Sequence, residues 1–161
     1  MHTAFPTRVY TEEEVKRAND LINNGYRHHL RVEGSQHFQQ KVKRATELIK
    51  AAGYWDFFTA YIRAIKETDG LTMLHNASAA IWANRYAVAN PVDAASIFIQ
   101  KAARMQEYLQ LQHYYSGEAE KRSVQKRIDF LDALREKSQE KEVIEECERL
   151  LRFWRESSLV Y

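Results

Sequence analysis

The chain has 161 residues, 45% of them apolar and 29% charged, with a formal net charge of +2 and a single cysteine. These values fit one packed domain of ordinary size. They exclude a disordered tail and an internal disulfide. The charge is unevenly spread: residues 1–66 carry 11 Lys/Arg against 7 Asp/Glu, residues 67–116 carry 3 against 4, and residues 117–161 carry 10 against 11. The start, Met1 to Pro6, lacks the basic and apolar blocks of a signal peptide, and no apolar run approaches the roughly 18 residues that span a bilayer. The expected location is the cytosol, with no membrane partner.

Residues 1–10 have no periodic pattern and are expected to be irregular. Thr11 and Glu14 then form a capping box, in which each side chain satisfies a backbone N–H of the other. Val15, Ala18, Ile22 and Tyr26 follow at helical spacing. Gly25 either ends this first helix or marks a weak point within a longer one. Gly34 breaks the chain, and Ser35 is placed to cap a second helix bearing Phe38, Val42, Ala45 and Ile49 on one face, with Gly53 closing it.

A third helix is expected over 54–68 (Trp55, Phe58, Ile62, Ile65) and a fourth over 71–89, ending at Asn90-Pro91. Pro91 suits the first turn of a fifth helix over 92–115, capped by Asn90. The sixth and seventh, over 118–137 and 140–156, each show one narrow apolar stripe and a broad charged face. No stretch alternates as a half-buried strand would. The expected fold is therefore all-α: a single domain of six to seven helices around a central apolar helical hairpin at about 71–115.

The familiar catalytic patterns are missing. There is no Gly-rich phosphate loop, no H-E-x-x-H, no C-x-x-C and no G-x-S-x-G. Cys147 lies in the apolar stripe of the last helix and reads as a core residue. No cofactor is expected.

Four groups of residues are candidates for function. His29, Glu33 and His37 would share one face of an unbroken helix and hold a metal. Arg27, Arg31, Lys41, Lys43 and Arg44, in the basic region 16–50, would meet the phosphates of RNA or DNA, with Tyr26 and Phe38 placed to stack on bases. His75, Trp82, Arg85, Tyr86 and Asp93 would line a pocket in the central hairpin, Arg85 and Asp93 pairing across its turn. Phe57, Tyr61, Trp154 and Tyr161 belong to a surplus of aromatics beyond what one core needs, the mark of a contact with another chain.

The leading expectation is a non-enzymatic module for protein–protein interaction or assembly, its partner a second copy or another protein. Nucleic-acid binding through region 16–50 is the alternative, and a metal-dependent or small-molecule enzyme is the third reading.

Overall fold

A computed structural model describes residues 4–110 and 117–158. Helix α1 (Glu12–Asn23) begins with the expected capping box: the Thr11 hydroxyl accepts from the Glu14 N–H, and the Glu14 carboxylate accepts from the Thr11 N–H. The helix stops at Asn23, and Gly25 adopts the left-handed φ of 97°. Strand β1 (Arg31–Glu33) follows. Ser35 then caps α2 (Gln36–Ala51), accepting from the Phe38 N–H, and the helix buries Phe38, Val42, Ala45 and Ile49.

The all-helical expectation fails between residues 62 and 84. The segment 54–68 splits into helix α3 (Trp55–Tyr61) and strand β2 (Ala64–Thr68). The segment 71–89 holds strand β3 (Met73–His75), one 3-10 turn (Asn76–Ser78) and strand β4 (Ala80–Asn84). Where a central helical hairpin is expected over 71–115, the described residues hold a strand pair followed by helix α4 (Pro91–Gln110), and 111–115 lie outside the described residues. Helices α5 (Gly117–Lys137) and α6 (Lys141–Ser158) complete the described chain, which is mostly helical but carries a four-stranded mixed sheet.

The reason for the departure is physical. Short apolar runs satisfy strand and helix periodicity equally, and Ile62 and Ile65, three apart, do so here. The alanines at 64, 79, 80 and 83 add helix propensity. In the fold, Ala64 and Ala80 are instead register partners in neighbouring strands, both buried. A strand takes its hydrogen bonds from segments distant in sequence, and local patterning is blind to them.

The strand order is β1-β2-β4-β3. β1 and β4 flank β2 in parallel, and β3 runs antiparallel to β4 at the far edge. Val32, Ile65, Ile81 and Leu74 are successive register partners, so they form one row across the sheet. That row faces the helices and joins the core. Helix α4 runs through the centre, contacting α1, α2, α3, α5, α6 and β3, and buries residues on several sides, among them Val92, Ala95, Phe98, Ile99, Ala102 and Met105. It is the core helix that its low charge predicts. Asn90 caps it, its Oδ1 accepting from the N–H groups of Val92 and Asp93.

The irregular N-terminal stretch is tied down. The Val9 N–H donates to the Ala77 carbonyl and the Tyr108 hydroxyl to the Val9 carbonyl. The Arg63 guanidinium donates to the carbonyls of Thr7 and Pro6.

Candidate functional site

Side chains alternate across a strand, so the residues next to the Val32–Leu74 row point away from the helices. Glu33, Lys66, Trp82 and Met73 are register partners on this outer face. His75 lies two residues from Met73 and stacks on the Trp82 ring, 3.9 Å between centroids and 17° between planes. Met73 is 54% exposed and Trp82 38%.

Two loops extend the apolar surface at one end of the sheet. They are clipped together: the Asn84 amide donates to the carbonyls of Asp69 and Gly70, and the Thr72 hydroxyl accepts from the Asn84 N–H. Arg85 bridges the same corner, its Nη2 2.7 Å from Asp69 Oδ1 and its Nε 3.3 Å from Glu67 Oε2. The clip fixes the two loops that present Leu71 (84% exposed) and Tyr86 (77% exposed). Large apolar side chains held this open, on one strand pair and the loops beside it, are what an interaction surface provides.

Of the five pocket residues expected in the central hairpin, the structure brings together His75 and Trp82 and leaves Tyr86 nearby on the surface. The Arg85–Asp93 pair does not form. Arg85 takes Glu67 and Asp69, while Asp93 binds Arg127 of α5 at 2.8 Å. With β4 ending at Asn84 and five residues of turn and bend before Asn90, the two do not face each other as arms of a helical hairpin would.

The metal trio is dispersed for a similar reason. His29 precedes β1, Glu33 ends it, and His37 lies on α2 beyond Gly34, so the helix that would align them does not exist. Among the described residues, no three His, Cys, Asp or Glu side chains converge to hold a metal.

The basic candidates divide. Arg27 forms a two-pronged ion pair with Asp56, at 2.8 and 3.0 Å. Arg44 pairs with Glu140 at 2.8 Å. Arg31 stands on β1, and Lys41 and Lys43 on the outward side of α2. Phe38 is buried in the core and cannot stack on a base. Tyr26 packs on Phe5 and His28 instead.

The aromatic candidates are mostly absorbed by the chain itself. Phe57 and Tyr61 touch each other and pack on the core. The Lys126 ammonium lies 4.4 Å from the centre of the Phe57 ring, and Gln106 donates to the Tyr61 hydroxyl at 3.3 Å. Trp154 carries the Arg127 guanidinium 4.3 Å above its ring. Tyr161 lies outside the described residues.

Sequence reasoning missed a buried polar network between α4 and α5. Arg127 is only 8% exposed. It donates to the Ser96 hydroxyl at 3.0 Å, the Gln100 amide oxygen at 2.9 Å and the Asp93 carboxylate at 2.8 Å. Burial pulls its pKa down while Asp93 opposes the shift. The one available signal was spacing: Asp93, Ser96 and Gln100 recur at i, i+3 and i+7 in the otherwise apolar first half of α4. Two other buried groups carry no visible chemistry. Cys147 is fully buried, and burial pushes its thiol up to about 12, far from a reactive thiolate. His28, wedged against Phe5 and Tyr26, is pulled down to about 4, first by burial and then by the Arg63 charge.

No helix among the described residues is long and apolar enough to cross a membrane. Comparison with protein families, with curated proteins and with solved structures finds no match to this chain.

Proposed function

We propose that this protein is an assembly module that associates with a second copy of itself through the outer face of β3 and β4. The observation that carries this reading is the exposure of Leu71, Met73, Trp82 and Tyr86 on one strand pair and its two clipped loops. Burying such side chains at a contact contributes about 25 cal/mol per Å², and aromatic anchors dominate contacts of this kind.

A second copy fits the charges. Lys66 and Arg85 on this side are balanced by Glu33 and Asp69, and each cation is paired within the chain. Two such faces meet without net repulsion. β3 is also the outermost strand, so a two-fold axis beside it brings the same patch of both copies together, as a closed dimer requires.

The test is size-exclusion chromatography with light scattering at several concentrations, on the wild type, Trp82→Arg and Met73→Glu. Both positions are surface residues, so circular dichroism should be unchanged. The wild type is expected to dimerise and both variants to run as monomers. A wild type that stays monomeric up to about 100 μM, well above the micromolar range in which weak complexes form, overturns the proposal. A dimer indifferent to both substitutions overturns this interface.

A further inference from the structure

The opposite edge of the sheet carries a separate feature. An open groove of about 530 Å³ runs between β1 and α2. Its floor is Leu30, Val32 and Trp55, and its wall is the stripe of α2 that includes Gln36, Lys43 and Lys50. No residue of β2, β3 or β4 lines it, so it opens on the side of β1 that β2 does not occupy. There the backbone of β1 has no strand partner among the described residues.

We propose that this groove takes an acidic segment of another polypeptide in extended conformation, added to the sheet beside β1. The reading does not rest on self-association, because β1 and β3 are the two opposite edges of the sheet.

Three observations support it. The first is length. Gln36 to Lys50 spans about 21 Å of helix at 1.5 Å per residue, which matches about six residues of extended chain at 3.3–3.4 Å each. The second is chemistry. An apolar floor beside an unpaired strand edge provides both parts of strand addition, main-chain hydrogen bonds from the edge and pockets for alternate side chains. The third is charge. Among the described residues, the only ionisable side chains lining the groove are Lys43 and Lys50, both cations, and the Lys50 ammonium sits 4.5 Å from the centre of the Trp55 ring, over the groove floor. An extended segment that carries Glu and apolar residues in turn at its groove-facing positions, every second residue, meets both the lysines and the floor.

Fluorescence anisotropy tests this with three fluorescein-labelled octapeptides in which every second residue is in turn Glu and Val, Leu or Phe, with Thr between them. At least one is expected to bind, and its affinity should fall by about tenfold or more in the Lys43→Glu/Lys50→Glu variant, where attraction becomes repulsion. Both lysines are exposed, so the fold should survive, and circular dichroism checks that. The same peptide methylated at the nitrogens of one alternate set of residues should lose binding and, methylated at the other set, keep it, because an added strand pairs through the N–H groups of one edge only. The proposal is overturned if none of the three binds, if both methylated peptides bind equally well, or if the double variant binds unchanged. A ten-residue oligouridine that binds more tightly than every peptide also overturns it, and would assign the groove to single-stranded nucleic acid.

Discussion

Removing the Asp93 carboxylate should destabilise the fold far more than its position near a helix start suggests. In Asp93→Ala the Arg127 guanidinium stays buried against Ser96, Gln100 and Trp154 but loses its anion. Stripping one partner from a buried ion pair costs about 3–5 kcal/mol. The lower end applies here, because the Asp93 side chain is 32% exposed and water can partly replace it. The expected loss is therefore about 3 kcal/mol, or about 6–12 °C in Tm for a domain of this size. Arg127→Met should cost less, about 1–2 kcal/mol, because it removes the buried charge together with its hydrogen bonds and leaves Asp93 where water reaches it. The double variant should then be more stable than the sum of the two single losses predicts, by about 1–2 kcal/mol. Urea unfolding followed by circular dichroism, with unchanged slope, measures all four corners of the cycle. An Asp93→Ala loss below about 1 kcal/mol, or a coupling below about 0.5 kcal/mol, would refute the claim that this pair locks α4 against α5.

Two further predictions concern the same half of the molecule as the sheet. His28 titrates at about 4 in the fold, against the ordinary 6.5. Between those values the unfolded chain takes up a proton that the folded chain refuses, so stability is complete above pH 6.5 and declines as the pH falls toward 4. The decline from this group amounts to about 3 kcal/mol. His28→Phe should remove that part of the slope, read as urea midpoints at pH 7.5 and pH 4.5; an equal slope in both proteins would show that His28 is not its source. At Gly34, a Cβ would stand 2.7 Å from Glu67 Cβ and 2.8 Å from Phe38 Cδ2, and φ is 155°. Gly34→Ala should cost about 2–3 kcal/mol, whereas Gly25→Ala, left-handed but with nothing within 4 Å, should cost only about 1 kcal/mol. Thermal unfolding of both variants ranks them, and equal losses would contradict the clash.

Local signals in the sequence located the starts of α1, α2 and α4, but not the end of α3, and they placed a helix over 71–89 where there is no α-helix. Thr11 with Glu14, Ser35 and Asn90 cap α1, α2 and α4 as their positions require, and Gly25 and Gly53 adopt the positive φ that ends α1 and α2. Caps work because donor and acceptor lie within four residues of one another. The stripes of α2, α5 and α6 were legible for the same reason, since a helix repeats its buried face every turn.

The candidate sites were less legible, because each depended on partners far along the chain. Arg27 is neutralised by Asp56, 29 residues away, and Arg44 by Glu140, 96 residues away. A basic run read from sequence counts both as open cations. His75 and Trp82 were grouped as lining a pocket, yet they stack on an open sheet face because β3 and β4 pair antiparallel. Phe57 and Tyr61 form a second apolar face on α3, and Lys126 and Gln106 meet it from within the same chain.

By itself the sequence determined where α1, α2 and α4 begin and which faces of α2, α5 and α6 are buried. Those properties arise from hydrogen bonds and periodicities confined to a few neighbouring residues. Only the tertiary structure decided that residues 64–84 hold three strands, that Arg127 of α5 pairs with Asp93 of α4, and that Trp82 lies on the outer face of the sheet while β1 forms one of its edges. Strand pairing and buried charge pairing are settled between segments that meet only when the whole chain folds, and no local pattern contains them.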